Sequence, residues 1–278
     1  MEKAVKITPK NIVEDSRERP WKVETAPFRV APHIYYVGNT WVGCFLLESS
    51  KGLALIDTAV VETLYLLLES IRRLGFDPKD IKKIFLSHAH MDHDGAARHL
   101  KELTGAEIYL AKEDDEWRRR PEADMSSSGF KIVPYEVDHY YDDETPIVMG
   151  GLTIRTRLSA GHTPGTTSFF VDTKDEEGKT LTWAMHGGVG VNTMNTAYLT
   201  KVHLPLSLQE NFFAGCEAMK SIHVDICTPS HPAHSDMLER VREDHMDYRP
   251  FVDENKWPAF LDERANSLRS VLEAEKRG

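Results

Sequence analysis

Three histidines and two aspartates are crowded between residues 88 and 94, in the stretch SHAHMDHDGA. The apolar run IKKIFLS immediately before it predicts a buried strand, and a helix is predicted from Gly95 to Leu103. The polar cluster therefore lies in the turn between a strand and a helix. A single histidine in such a turn would be interpreted as solvated, but clustered histidine and aspartate are typical of a metal site.

The spacing His-x-His-x-Asp-His suggests two neighbouring metal positions. In an extended turn, residues i and i+2 point the same way. His88 and His90 can therefore hold one cation, while Asp92 and His93 project to the other side and can hold a second. Imidazole and carboxylate are ligands of zinc, and a catalytic zinc ion takes three protein ligands and keeps one position open. Each position still needs one ligand from elsewhere in the chain.

Two later turns can supply the missing ligands. His162 in AGHTPGTTS and His231 in TPSHPAH each follow a predicted strand, at a point where side chains of different strands converge. We expect His162 to complete the first position and His231 to complete the second. The sequence thus predicts a pair of three-ligand sites close enough to share a hydroxide, as in two-metal hydrolases.

Composition argues against several other classes of function. The net charge is −10 and no long Lys/Arg run is present, which disfavours a nucleic-acid partner. The apolar runs are too short to span a bilayer, no signal peptide is visible, and the three cysteines form no CxxC motif. We expect a cytoplasmic protein that acts on a small molecule, or a periplasmic one if an export signal was removed. The oligomeric state stays open.

The order of predicted elements favours a single domain of stacked sheets and helices over residues 1–278. Strands precede a helix in each half of the chain. Residues 1–25 are polar and proline-containing, and we expect them to wrap the surface as an N-terminal extension. Residues 112–146, with several charge clusters, are expected to form a long loop with little secondary structure.

Several motifs resemble those of the metallo-β-lactamase superfamily. SHAHMDHDGA, GHTPGTTS and SHPAH look like its metal-binding motifs, and APFRVAPHIYYVG, LALIDTA and PFVDENKWPAFLDERA are similar to the third subclass of the class B β-lactamases. The resemblance covers roughly residues 25–275. It implies an α/β fold, the four-layer αβ/βα sandwich, with metals at one edge of two facing sheets. It also implies two zinc ions per chain, held by His88, His90 and His162 and by Asp92, His93 and His231.

The chain departs from the family's pattern after the run TLTWAM. The third subclass reads Ala-Asp-Ser-Leu-Ser there, whereas this chain reads AMHGG from Ala184 to Gly188. His186 has three open roles: an end-on ligand of the second metal, a catalytic group that hydrogen-bonds the substrate's carbonyl or leaving group, or a side chain that only packs the strand end. The missing serine hydroxyls weaken the expectation that β-lactams are cleaved.

The resemblance implies a zinc-dependent hydrolase in which a metal-bound hydroxide attacks a β-lactam, amide, lactone or thioester carbonyl. Asp92 is expected to orient the hydroxide. Trp41, in NTWVG, is expected either to overhang the metals and contact an apolar substrate or to be a partly buried loop aromatic.

Three functions therefore compete. The first is a β-lactamase, and the second is a lactonase or thioesterase with a pocket altered at His186–Gly188. The third is a non-hydrolytic protein, either an iron-binding oxidoreductase or a binding module. The set of six ligands argues against a binding module, and the chain has no visible room for the flavin domain that usually accompanies the iron proteins.

Overall fold

The computed structural model describes residues 9–277, and its strands form two sheets. The first sheet contains, in spatial order, β1 (Phe28–Ala31), β2 (Ile34–Tyr36), β3 (Phe45–Ser49), β4 (Gly52–Ile56), β5 (Ile81–Phe85), β6 (Glu107–Leu110) and β7 (His139–Tyr140). The second contains β8 (Ile147–Met149), β9 (Leu152–Leu158), β10 (Thr167–Lys174), β11 (Thr180–Met185) and β12 (Ile226–Cys227), with β12 and β8 at its edges.

Residues 9–277 form eight α-helices, and four of them cover the outer faces of the sheets. The eight are α1 (Pro9–Glu18), α2 (Leu64–Arg73), α3 (Met91–Asp94), α4 (Ala97–Thr104), α5 (Lys112–Arg118), α6 (Thr196–Lys201), α7 (Ser207–Met219) and α8 (Lys256–Glu275). The helices α2 and α4 pack on the first sheet, and α7 and α8 pack on the second. The four-layer αβ/βα sandwich is therefore confirmed. None of the described helices is both long enough and apolar enough to cross a lipid bilayer.

Some central strands, such as β4, read as continuous apolar runs because both of their faces are buried. In β4, Ala54 and Ile56 face the second sheet, whereas Leu53 and Leu55 face the helical layer. Successive side chains of a strand point to opposite faces, so a strand between two apolar layers needs apolar residues at every position. The same rule explains the run TLTWAM in β11, where Trp183 lies between the sheets.

The directions of the strands gather several turns at one edge of the sandwich. Strands β4, β5 and β6 run parallel to one another, and β12 runs parallel to β11, so their carboxyl ends face this edge. Two backbone hydrogen bonds join the sheets there: Thr167 N–H donates to the Ser87 carbonyl (2.8 Å), and Gly43 N–H donates to the Ser230 carbonyl (2.8 Å). The turns that carry the predicted ligands are thereby held side by side.

The structure corrects the expectation of a long loop over residues 112–146. This segment begins with α5, contains two short 3-10 helices and the two-residue strand β7, and ends directly before β8. Three acidic residues occupy the first turn of α5, where their negative charges interact favourably with the positive end of the helix dipole. Trp117 in the same helix is buried. The helix has only seven residues, too few for a periodic apolar pattern to reveal it.

The expected N-terminal extension is helical over part of its length. Its first eight residues lie outside the described residues, as does residue 278. From Pro9 the chain forms α1, and a 3-10 helix follows at Pro20–Val23. The side chains that α1 turns toward the protein also affect the candidate site.

The core between the sheets predicts a large effect for Phe45→Ala. Phe45 is fully buried, and its ring centroid lies 4.9 Å from that of Trp183. Removing it leaves a cavity, so the free energy of unfolding should fall by about 3–5 kcal/mol. Urea denaturation of the metal-free protein measures this loss. Val148→Ala, at a side chain that is 72% exposed, is the control. Equal losses in the two variants would contradict the proposed role of the inter-sheet core.

Candidate metal centre

The six predicted ligands lie together at this edge in two groups of three. The first group is His88, His90 and His162, the second is Asp92, His93 and His231, and in each group one potential ligand atom per residue lies within 4.8 Å of the other two. These are the two groups that the sequence spacing predicts.

Three separate segments of the chain carry these side chains. His88 and His90 lie in the extended turn after β5, and α3 begins directly afterwards, so that Asp92 and His93 occupy its single turn. The turn between β9 and β10 supplies the third member of the first group, and the turn after β12 supplies the third member of the second. Residues far apart in sequence thus meet because their strands end at one edge.

In the first group, nitrogen atoms of different imidazoles face one another. His90 Nδ1 lies 3.0 Å from His162 Nε2. His162 Nδ1 lies 2.7 Å from the carbonyl of Gly190, which can only accept, so Nδ1 carries the proton and Nε2 keeps a free lone pair. The Nε2 atom of His88 is buried and has no hydrogen-bond partner within the described part of the chain.

In the second group too, the Nδ1 atoms of the histidines face hydrogen-bond partners outside the group. His93 Nδ1 lies 2.7 Å from a carboxylate oxygen of Asp57, and His231 Nδ1 lies 2.7 Å from the carbonyl oxygen of Trp41. The Nε2 atoms of these two histidines are 3.1 Å apart. The Asp92 carboxylate is 3.6 Å from the first and 3.4 Å from the second.

Both groups fit a zinc ion by spacing and by donor type. Tetrahedral zinc with Zn–N distances near 2.0 Å holds its ligand atoms about 3.3 Å apart, which is close to the distances within the groups. The orphaned Nε2 of His88 is a buried polar atom that such an ion would satisfy. The groups are adjacent, since the ring centroids of His88 and His93 are 4.1 Å apart.

Burial keeps most of these imidazoles in the neutral form that a metal requires. Burial lowers the pKa of His90 to about 4, and burial together with neighbouring histidines holds the pKa of His88 and His162 well below the usual value. His93 is the exception: burial alone would lower its pKa, but Asp92 and Asp57 outweigh burial and raise it.

Asp57 supports the centre, and the sequence analysis did not single it out. Its carboxylate is fully buried and accepts hydrogen bonds from the backbone N–H and the hydroxyl of Ser87, both at 2.7 Å, while also facing His93. Its φ of 59° is rare for a residue with a side chain, so the surrounding contacts hold a strained backbone. An acid directly after the apolar run LALI was the signal that could have identified it.

Asp114 is a second buried carboxylate that the sequence analysis missed. It accepts hydrogen bonds from Ala89 N–H (2.8 Å), the Thr163 hydroxyl (2.9 Å) and Gly165 N–H (2.6 Å). It therefore ties the turn of His88 and His90 to the turn of His162. Burial raises its pKa to about 6, although these hydrogen bonds act in the opposite direction. Asp114 lies in the segment that was predicted to be a loop, where no local pattern indicated a buried acid.

A cavity of about 510 Å³ opens over the two groups, and Trp41 lines it. The centroid of the Trp41 ring lies 6.4 Å from that of His231. Trp41 therefore lies where it could overhang the two ligand groups, as one of its two predicted roles requires. Its contact with substrate remains a prediction. His234 also lines the cavity, and its buried Nδ1 has no hydrogen-bond partner among residues 9–277.

His186 joins neither group and does not line this cavity. Its side chain is 1% exposed and packs toward α7, with its ring centroid 5.7 Å from that of Phe212. Its Nδ1 accepts a hydrogen bond from Gly188 N–H at 3.2 Å, and burial lowers its pKa to about 3. This placement favours the packing alternative over a ligand, catalytic or substrate-binding role.

The placement of His186 predicts that His186→Asn preserves the centre. The asparagine amide oxygen can accept the hydrogen bond from Gly188 N–H, so the metal content should stay unchanged. Metal analysis after dialysis against zinc measures this. His93→Asn is the matched comparison and should lose metal because it removes a predicted ligand. Loss of a metal ion from the His186 variant would restore the ligand interpretation.

Asp114→Asn should weaken metal binding without unfolding the protein. The amide cannot accept all three hydrogen bonds, so the two histidine turns lose their shared anchor, and zinc affinity should fall by about 10- to 100-fold. Competition with a chromophoric chelator measures the affinity. Asp175→Asn, in the exposed hairpin between β10 and β11, is the control. An unchanged affinity would show that Asp114 does not position the ligand turns.

Comparison with known proteins agrees with this geometry. Residues 42–179 match the sequence model of the metallo-β-lactamase superfamily. A mutant of the FEZ-1 metallo-β-lactamase from Legionella gormanii superposes with a TM-score of 0.81 at 26% identity, covering 92% of this chain and 98% of that one. BJP-1, a subclass B3 metallo-β-lactamase of Bradyrhizobium japonicum, has a TM-score of 0.80 at 23% identity, covering 91% and 95%, and shows the same fold.

Curated relatives match over a shorter length. The N-acyl homoserine lactonase AttM of Agrobacterium fabrum is 31% identical over 115 residues, which cover 37% of this chain and 41% of the lactonase. The chain spans less than two thirds of the length of the first curated relatives that it matches. Taken with the sandwich and the two ligand groups, the match of residues 42–179 and the superposition on FEZ-1 place the chain in the metallo-β-lactamase superfamily.

Proposed function

We propose that this protein is a dinuclear zinc hydrolase that cleaves a carbonyl compound. The observation that carries the proposal is the pair of adjacent three-ligand groups beneath a cavity large enough for a small molecule. Proteins that share the fold or part of the sequence are β-lactamases and lactonases by their names, which supports hydrolysis as the class of reaction.

Zinc ions bound here would polarise the carbonyl and lower the pKa of a water molecule toward neutrality. The chain's own residues would hold the reactants in place. Asp92 lines the cavity as well as belonging to the second group, so its carboxylate can accept a hydrogen bond from the attacking water and orient it. Burial alone would raise the pKa of Asp92, but the nearby histidines, first His93, outweigh it and lower the pKa, which keeps the carboxylate ionised.

The residues around the ligands restrict how the centre can relax. Asp57 fixes the orientation of the His93 ring, and Asp114 joins the two histidine turns of the first group. Ligands held by buried hydrogen bonds stay in place when a substrate displaces water, because the partners of their other atoms do not change. The catalytic geometry would therefore be largely preformed.

A lactone or thioester is a specific second candidate for the substrate, beside a β-lactam. A Cβ added at Gly188 would lie 2.6 Å from the His162 ring, and one at Gly187 would lie 2.0 Å from the carbonyl oxygen of Thr167. Neither position can carry a side chain that grips a substrate carboxylate. Lysine and arginine are also absent from the described residues that line the cavity. A substrate without a carboxylate beside the reacting bond suits this lining better.

The proposal predicts two zinc ions per chain and hydrolysis that depends on both groups. His88→Ala and His231→Ala should each lower kcat/KM by at least about a hundredfold, because each removes a ligand from one group. Metal content by mass spectrometry and initial rates on a carbapenem, an N-acyl homoserine lactone and an acyl thioester measure this. His223→Ala, at an exposed histidine away from the cavity, is the matched control. Full activity in either ligand variant would overturn the metal assignment.

A further inference from the structure

The N-terminal helix α1 forms part of the wall of the candidate active-site cavity. Ile12 and Val13 of this helix line the cavity, together with Trp41 and Met125. All four side chains are apolar and half-buried. They share the cavity with the predicted ligands, so this apolar surface, which we call the α1 wall, lies within reach of a bound substrate.

One face of α1 is turned toward the rest of the protein. This face carries the buried polar residues Asp15 and Ser16, with exposures of 9% and 0%. Ile12 precedes them by three and four residues and therefore lies on the same face of the helix. Ile12 and its neighbour Val13 line the cavity. Apolar side chains placed at a cavity rather than in a core indicate a role in binding.

Specific contacts hold the α1 wall against the rest of the site. Arg17 Nη1 donates to the carbonyl of Ser128 at 2.9 Å, and the Arg17 guanidinium lies 6.0 Å from the centroid of the Phe130 ring. Phe130 in turn stacks on Trp41, with ring centroids 5.6 Å apart. The helix, the turn at residues 126–130 and the Trp41 loop are therefore connected by side-chain contacts.

A backbone contact strengthens this connection. Thr40 N–H donates to the carbonyl of Val23 at 2.9 Å, which fixes the end of the N-terminal segment to the loop that carries Trp41. The wall is thus built from three separate parts of the chain, and the contacts above connect the helix to the other two. It can present a defined apolar surface, and ordering it on binding costs little conformational entropy.

We propose that Ile12 and Val13 are specificity-determining residues that receive an apolar group of the substrate, an acyl chain attached close to the bond that is cleaved. This inference rests on the proposed hydrolase function. It is supported by the apolar wall and by the lack of lysine and arginine among the described lining residues, since a charged group at this position would lose hydration without gaining a partner. The cavity of about 510 Å³ can hold both the reacting ring and such a chain.

The test uses the zinc-loaded full chain and a series of substrates with the same reacting ring and straight acyl chains of increasing length. N-acyl homoserine lactones and penicillins both allow this, and the series is run on whichever ring the unaltered protein opens. Each methylene that the wall buries should raise kcat/KM by about fourfold, mainly through KM, until the chain leaves the cavity. Val13→Ser and Ile12→Ser should reduce that gain to less than about twofold while the shortest substrate reacts normally.

A second substitution tests the wall in the opposite direction. Val13→Phe adds volume to the same surface and should shift the preferred acyl chain to a shorter length, so the proposal does not depend on the serine variants alone. Val148→Ser is the matched control, because Val148 is exposed on the strand β8 and does not line the cavity. It should keep the dependence on chain length of the unaltered protein. Zinc content and circular dichroism are measured for every variant.

The outcomes separate the inference from the function on which it rests. If the unaltered protein opens a ring but the α1 variants keep its full dependence on chain length, the wall is not a specificity determinant. Equal losses for short and long substrates would also overturn it, because they would indicate damage to the centre rather than to an apolar subsite. If the zinc-loaded protein opens neither ring and cleaves no thioester, the proposed hydrolase function fails, and this inference fails with it.

Discussion

The candidate metal centre depends on the hydrogen bonds of the buried Asp57 carboxylate. This carboxylate is placed at the end of β4, it accepts two hydrogen bonds from Ser87 at the end of β5, and it faces His93 in α3. One side chain thereby links two strands and a predicted ligand. A buried carboxylate is costly unless it is fully hydrogen-bonded, so the turn after β5 must adopt the geometry that satisfies it. That geometry is also the one that directs His88 and His90 into the first group.

Asp114 has the corresponding role between the two sheets. It connects the turn that follows β5 in the first sheet to the turn that precedes β10 in the second. Gly165 allows the close approach, since a Cβ there would lie 2.6 Å from the backbone of Asp114. The predicted ligands are therefore supported by two buried acids rather than by loop conformation alone. Such support is consistent with a centre that is formed before substrate arrives, as the proposed hydrolysis requires.

The α1 wall shows how a segment outside the two sheets can shape the cavity. The sandwich places the predicted metal ligands at its edge. Ile12 and Val13 add apolar surface from a helix that the Arg17 contacts attach to the turn at residues 126–130. Family members that share the sandwich need not share this helix, because a fold determines function only through the site built on it. Substrate preference can thus differ where the predicted ligands do not.

Much of the fold and of the ligand grouping could be predicted from local sequence. Apolar runs such as the one before Ser87 predict buried strands. The two-residue spacing of His88 and His90 predicts that their side chains point the same way. Other features had no local signal. The helix α5 is too short for a periodic pattern. His186 follows a predicted strand, as His162 and His231 do, yet it packs against Phe212 in α7.

The sequence by itself determined the types of the predicted ligands and their pairing along the turn after β5, and its resemblance to a known superfamily implied the sandwich. The ligand types and their pairing follow from residue chemistry and short-range geometry, whereas the sandwich follows from the motifs that carry the resemblance. Only the tertiary structure decided that Asp57 and Asp114 support the centre, that His186 packs away from it, and that Ile12 and Val13 face the cavity. These features depend on which distant strands and helices meet at the sandwich edge, and contacts across such distances leave no periodic pattern in the chain.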